Sequence, residues 1–310
     1  MTWPLGRAVR VRVPATSANL GPGFDCLALA VQLYDELTVE VTRAGLDIDV
    51  VGEGAAEVAR DESHLVVRAL RIAADRLGGQ PPGLRLRCSN TIPHGRGLGS
   101  SAAAIVAGLL AGRALHPGGR DLSDAELLAI AAEVEGHPDN AAACLLGGVT
   151  IAWTEDGAAR AVRLEPHPRL AVTLLVPRSA LSTHTARGLL PHHVPHAEAA
   201  RNAGRAALLV HALTAEPALL LAGTQDWLHQ SYRAPAMPET AELIARLRAR
   251  GIAAVVSGAG PSVAAFTELS LAADLPPGWT LHRLSVDIAG AAEIGLFNTS
   301  SAPETLRGPS

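Results

Sequence analysis

Val9, Val11 and Val13 alternate with Arg10 and Arg12, a period of two that predicts a strand ending at Pro14. A loop rich in Gly, Pro and Asn follows, then a second alternating run through Leu37, Val39 and Val41. From Asp61 to Leu77 the apolar residues Leu65, Val66, Ala69, Leu70 and Ala73 take helical spacing, with an acidic start and a Gly78-Gly79 stop. Leu84, Leu86 and Cys88 alternate again and run into Ile92-Pro93. Ser100 to Leu115 is apolar almost throughout until Arg113, which predicts a buried helix. Ser123 to Glu135 is amphipathic, and Ser123 with Glu126 three residues on makes a capping-box pattern.

Val149 to Trp153 and Leu170 to Val176 read as strands. Leu181 to Arg250 is mostly helical, punctuated by Pro191, Pro195, Pro217, Pro235 and Pro238; Ile252 to Val256 and Val263 to Phe266 return to strand. Strands and helices fall in clusters rather than in strict alternation, so the class is α+β. The polar turn Glu155-Asp156-Gly157 and the prolines Pro166 and Pro168 suggest a boundary, dividing residues 1–165 from 166–298. Thr299 onward reads as a loose tail.

Composition narrows the chemistry. The chain has 310 residues, enough for two domains or one large one, and a net charge of -4 that leaves no basic footprint for nucleic acid. Apolar stretches such as Ala102–Gly112 and Ala206–Gly223 are too short or too interrupted to span a membrane, and the N-terminus shows no secretory leader. Cys26, Cys88 and Cys144 are odd in number and far apart, against a disulfide framework or a zinc ribbon. A soluble cytoplasmic protein is expected. All 26 cationic side chains are Arg, so lysine Schiff-base or general-base chemistry and a Walker A loop are excluded.

Between a strand and the buried helix lies Pro93-His94-Gly95-Arg96-Gly97-Leu98-Gly99-Ser100-Ser101-Ala102-Ala103. Alternate glycines allow a sharp turn and a close approach to a ligand, and the helix that follows offers unpaired N–H groups and the positive end of its dipole. Together these suit a phosphate, with Ser100 or Ser101 able to reach a magnesium ion. A plain glycine turn with a serine cap is the bland alternative. A dinucleotide fingerprint fits less well, because the spacing here is G-x-G-x-G.

This segment resembles the ATP-binding motif of the GHMP kinases, the superfamily of galacto-, homoserine, mevalonate and phosphomevalonate kinases. Pro14-Ala15-Thr16-Ser17-Ala18-Asn19-Leu20-Gly21-Pro22-Gly23-Phe24-Asp25 is similar to its N-terminal motif, and Ser257-Gly258-Ala259-Gly260-Pro261-Ser262 to its C-terminal one. The resemblance implies an N-terminal kinase domain of left-over-right β/α layers and a C-terminal ferredoxin-like domain. Within the superfamily, the first motif together with Glu135-Gly136-His137-Pro138-Asp139-Asn140, Thr185-Ala186-Arg187 and His229-Gln230-Ser231-Tyr232-Arg233 resembles the homoserine kinase family. The implied reaction is ATP-dependent phosphorylation of the L-homoserine hydroxyl, a step of threonine biosynthesis, with ATP and L-homoserine as partners and Mg2+ as cofactor.

A free α-amino acid presents an ammonium and a carboxylate together, so its site needs an anion and a strong cation. Asp25 suits the ammonium, with Asn19 orienting it, and Arg187 and Arg233 suit the carboxylate. The resemblance also places His137 at the substrate, Asp139 and Asn140 at its hydroxyl, Arg187 among the catalytic residues, and Ser100 and Glu133 on the metal. An amide at Asn140 orients a hydroxyl but does not take its proton, so the proton goes to the phosphate or through Asp139. Each has a plainer reading: Asn19 and Asp25 as turn formers, the arginines as surface charges, His137 as a loop brace, Glu133 as a solvated helix residue. His192, His193 and His196 have metal-like spacing, but Pro191 and Pro195 break the helix that would align them. Ser63-His64-Leu65 stands where the family usually carries Asn, near the expected adenine pocket. Another GHMP kinase, or a ligand sensor on the same fold, remains the alternative, and a homodimer is left open.

Overall fold

The computed structural model describes residues 2–298, so the tail expected from Thr299 onward lies outside the described residues. The strands are β1 (Arg7–Ala18), β2 (Leu27–Thr42), β3 (Gly45–Gly52), β4 (Gly83–Asn90), β5 (Val149–Glu155), β6 (Ala158–Leu164), β7 (Val172–Val176), β8 (Ala253–Val256), β9 (Val263–Phe266), β10 (Thr280–Leu284) and β11 (Ala292–Asn298). The helices are α1 (Leu65–Arg76), α2 (Ser100–Leu115), α3 (Asp124–Glu135), α4 (Asp139–Leu146), α5 (Thr183–Gly188), α6 (His196–Thr214), α7 (Leu220–Gly223), α8 (Gln230–Arg233) and α9 (Pro238–Ala249).

The first sheet runs β11-β1-β2-β4-β3, with β5 paired to β2 and β6 to β5. Only β3 and β4 pair in parallel here; α1 lies between them in sequence, as a parallel connection requires. The first strand does not stop at Pro14. Pro14 has no N–H to give, and the register slips between it and Ala15, after which small buried residues carry the strand on to Ala18. The first motif is therefore half strand, and only Asn19 to Cys26 turn away from the sheet.

Helix α2 is apolar through its middle because Ile105 to Gly112 are buried on every side, and only its first turn and last residues meet cavity or solvent. A Cβ on Gly108 would lie 2.3 Å from the Val66 carbonyl of α1, so the two helices approach to backbone contact. Helix α1 starts later than its hydrophobic pattern suggested, since Asp61 accepts from Ser63 N and Oγ and closes a turn first. The expected capping box of α3 is present: Ser123 Oγ accepts from Glu126 N at 3.3 Å, and Ser123 N donates to Glu126 Oε2 at 2.8 Å.

The second sheet is antiparallel, in the order β10-β7-β9-β8, and α5 to α9 fall between β7 and β8 in sequence, a ferredoxin-like layer. One buried cluster joins Val9, Leu70 and Ile105 to Leu174, Leu209 and Val255, so the two layers share a core. The expected second unit, 166–298, sends its last strand back: β11 pairs with β1 in the first sheet. Among the described residues no helix is long and apolar enough to cross a membrane.

Candidate active site

The three motifs meet at one point. Thr16 N donates to Leu98 O at 3.0 Å, and Gly258 N donates to Ala18 O at the same distance. Ser257 Oγ donates to Gly97 O at 2.7 Å. A Cβ on Gly97, whose φ is +72°, would stand 2.1 Å from the Ser257 carbonyl, so the glycine loop and the C-terminal motif touch through bare backbone. Asn19 ties the third motif in: its Nδ2 donates to Gly258 O at 2.7 Å and its Oδ1 accepts from Asp25 N at 2.9 Å.

A cavity of about 120 Å3 lies at this junction. Gly95, Gly97, Leu98, Gly99, Ser100 and Ser101 form one wall, and Asn19, Asp25, His137, Asp139, Asn140, Arg187 and Arg233 the rest. Pro93, Ala102 and Ala103 are buried. Arg96 turns its guanidinium onto the carbonyls of Pro177 (3.3 Å), Arg178 (2.6 Å) and His94, bracing the loop rather than the cavity.

The charged residues pair in an unexpected way. Arg187 donates through Nη1 and Nη2 to the two oxygens of Asp25, at 2.9 and 2.6 Å, and that hydrogen bond raises the arginine further above its ordinary value. Arg233, by contrast, is 1% exposed, so it is no surface arginine. It donates to Ala186 O, His229 Nδ1 and Gly258 O at 3.3, 3.1 and 3.3 Å. Burial, then the charge of Arg187, pushes it down to about 10, still a cation at neutral pH. His229 Nε2 bonds the Gly21 carbonyl at 2.8 Å, and burial keeps the imidazole neutral by lowering its pKa.

At the other end, His137 Nδ1 bonds Asp139 Oδ1 at 2.8 Å. Burial disfavours the imidazolium, but that bond and the charges of Asp139 and Glu135 outweigh it, so the His137 pKa is raised. Asn140 donates to the same Oδ1 and accepts from Thr16 Oγ1 at 2.7 Å. Asp139 Oδ2 takes no hydrogen bond among the described residues.

Glu133 does not reach the cavity. It is exposed on α3, while Glu135 lines the cavity and accepts from Ser101 Oγ at 2.7 Å. Two positions on a helix differ by about 200° around its axis, so one of the two glutamates must face away. Glu135 was legible as part of its motif, but its facing was not. Thr16, Leu181 and Thr183 also stand at the site without having been singled out. His192 and His193 are exposed before α6, and His196 begins that helix.

A second, more apolar cavity of about 290 Å3 shares Ser100 and Ser101 with the first. Asp35, His64, Cys88, His94 and Ala103 are on its walls. His64 is buried, its Nδ1 has no hydrogen-bond partner among the described residues, and burial lowers its pKa.

Residues 64–148 match the GHMP kinases N terminal domain and residues 199–275 the GHMP kinases C terminal domain. A homoserine kinase of Streptomyces avermitilis is 58% identical over 294 residues, covering 93% of this chain and 96% of that one. The chain belongs to the homoserine kinase family of the GHMP kinases. Another member, from Clavibacter michiganensis, is 49% identical over 308 residues, covering 96% of this chain and 97% of its own. A crystal structure of homoserine kinase from Cytophaga hutchinsonii superposes with a TM-score of 0.80 at 26% identity, covering 93% of this chain and 97% of that one. Mevalonate diphosphate decarboxylase from Staphylococcus aureus, at 15% identity and a TM-score of 0.66, shares the fold alone.

Proposed function

We infer that this chain transfers the γ-phosphoryl group of ATP to the side-chain hydroxyl of L-homoserine, giving ADP and O-phospho-L-homoserine. The observation that carries this reading is the charge set beside the phosphate loop: one carboxylate, Asp25, and two guanidiniums, Arg187 and Arg233, on the wall of one small cavity. The Asp25–Arg187 pair is itself a bound zwitterion's mirror image. An incoming amino acid replaces it, its ammonium taking Asp25 and its carboxylate taking Arg187 and Arg233. A sugar or mevalonate has no ammonium to complete that exchange.

The N–H groups of the glycine loop and of the start of α2 would hold the triphosphate, with the base end in the apolar cavity beside His64. Ser100, Ser101 and Glu135 form an all-oxygen donor set that fits Mg2+ sharing its remaining positions with phosphate and water. Bound there, the ion would neutralise charge between the β- and γ-phosphates.

Phosphoryl transfer asks the protein mainly for positioning and charge stabilisation. The homoserine oxygen forms the new bond to phosphorus as the bond to the β-phosphate oxygen breaks. Asn140 orients the hydroxyl, and Thr16 and Asp139 hold Asn140. His137 fixes the Asp139 carboxylate through the same Oδ1, which leaves Oδ2 free. The hydroxyl proton leaves to the transferred phosphoryl oxygens or to Asp139 Oδ2, which is uncommitted. The three cysteines are unpaired, which supports a reducing, cytoplasmic setting.

An ATP-consumption screen across homoserine, threonine, serine, mevalonate and galactose tests the reading. Homoserine should be the preferred acceptor; turnover of mevalonate or galactose without homoserine would refute it.

A further inference from the structure

On the side of α8 that carries Gln230 and Ser231, a third cavity of about 380 Å3 opens between α8, α9 and β8. That volume falls in the range of about 300–1,000 Å3 typical of small-molecule sites. None of the residues given a part in the reaction lines it. Its floor is apolar, made by Met237, Ile244 and Val256.

Its uncommitted polar groups are neutral amides and a hydroxyl, an indole N–H and one guanidinium, so its one free charge is positive. Trp227 Nε1, Gln230 Nε2 and Ser231 Oγ stand on the wall with no hydrogen bond among the described residues. Arg248 donates to Thr224 Oγ1, Ala254 O and Leu221 O at 2.8, 3.2 and 2.7 Å. Those three bonds leave Nε–H and one Nη2 hydrogen uncommitted, since a guanidinium has five. It makes no ion pair among the described residues, and burial alone lowers its pKa, so a facing anion would relieve it. The one carboxylate on the wall, Asp226, is already engaged. Its Oδ1 accepts from Leu228 N at 2.8 Å, and its Oδ2 from His229 N and Gln230 N at 3.2 and 2.7 Å. The walls therefore match an anion with an apolar body and offer no free acid to an ammonium. An anion without an ammonium therefore suits this wall better than the zwitterion that the reaction cavity suits.

We propose that this cavity is a second ligand site, for a monocarboxylate on a short branched aliphatic chain, and that its occupation changes how the enzyme holds homoserine. The link is Gln230. Its Oε1 accepts from Val256 N at 2.7 Å, and the next residue is Ser257, which grips the phosphate loop at Gly97. Three residues along α8, Arg233 donates to Gly258 O and lines the homoserine cavity. A carboxylate that draws the Gln230 amide toward Arg248 thus moves the turn carrying Arg233. By linkage, homoserine changes the affinity of the carboxylate by the same factor. The coupling rests on the kinase reading, but binding does not, so the two fail separately.

Calorimetric titration of the full chain with isovalerate, and with isovaleramide as its neutral isostere, tests the site. Isovalerate should bind saturably, and the amide at least about tenfold more weakly, because only the anion makes charge-assisted bonds to Arg248. Arg248→Gln and the cavity-filling Ala241→Phe should each weaken isovalerate binding by about tenfold or more, with the Ala241→Phe enzyme keeping its basal turnover. Should Arg248→Gln not fold, Ala241→Phe decides alone. Equal binding of the amide, or isovalerate binding unchanged in Ala241→Phe, overturns the site. Saturating isovalerate should shift the homoserine KM by about threefold or more in the wild type and not in Ala241→Phe. Binding with an unmoved KM overturns the coupling.

Discussion

Arg187 holds Asp25 with both arms of its guanidinium, at 2.9 and 2.6 Å, across 162 positions of sequence. Both side chains are about one-third exposed, 35% and 33%, so this pair adds little to stability and is free to exchange partners. Arg187→Ala should therefore leave the melting temperature nearly unchanged while raising the homoserine KM by about 10- to 150-fold, the cost of roughly 1.5–3 kcal/mol for a lost charge-assisted bond. The ATP KM should hardly move. Steady-state kinetics in both substrates, with a thermal melt, checks the split.

Arg233→Ala should behave differently. This side chain is buried and bonded to Ala186 O, His229 Nδ1 and Gly258 O, so its loss leaves buried polar groups unsatisfied. A stability loss of roughly 2–4 kcal/mol should accompany the rise in homoserine KM. Denaturant melts of the two variants side by side measure the contrast.

The two glutamates of α3 separate by function. Glu135→Ala should lower kcat by about 100-fold or more if the proposed metal set holds, since Glu135 lines the cavity and bonds Ser101 at the glycine loop. Glu133→Ala, exposed and away from the cavity, should keep wild-type kcat. A magnesium titration of both variants reads the result; equal losses would mean α3 presents the other face.

Gly97→Ala combines a left-handed φ of +72° with a Cβ 2.1 Å from the Ser257 carbonyl. Strain of roughly 1–3 kcal/mol should appear as a lowered melting temperature and an ATP KM raised about tenfold or more. Homoserine binding should suffer less.

His137 gives a pH signature. Its pKa is raised in the folded protein, so its imidazolium stabilises the fold fully below the ordinary value of 6.5, and that contribution fades as pH rises through the folded value. The stability gap between wild type and His137→Gln should thus be largest below pH 6.5 and close at alkaline pH. His229, whose pKa is lowered, acts in the opposite sense but equally in both proteins, so it cancels in the difference. Urea melts from acid to alkaline pH follow the gap.

The elements whose cause is local were legible from the chain. The apolar run of α2, bounded by glycines and Arg113, and the Ser123–Glu126 box of α3 each carry their start and stop in a few residues. Strand β3 has Leu46, Ile48 and Val50 in alternation with Asp47 and Asp49, but the run is short and lies between glycines. Strand β11 gave less, because Ile294 and Leu296 are exposed and its reason to exist is a partner at the far end of the chain. The site divides the same way. The motifs located the glycine loop, whereas the facing of Glu135 rather than Glu133 toward the cavity, the burial of Arg233 and the bracing role of Arg96 depend on how elements pack. No residue spacing encodes those.

The return of β11 to β1 has a consequence for synthesis. β1 leaves the ribosome early and its outer neighbour very late, with Arg7 finally opposite Asn298. Until then that border of the sheet has no neighbour for its backbone N–H and C=O groups, an open invitation to other extended chains. β2 can pair at once, so the layer forms around an unfinished border and is sealed last. Nascent chains stalled before Ala292 should therefore associate with one another or with chaperones through that border, and release of the final strand is the event that closes it.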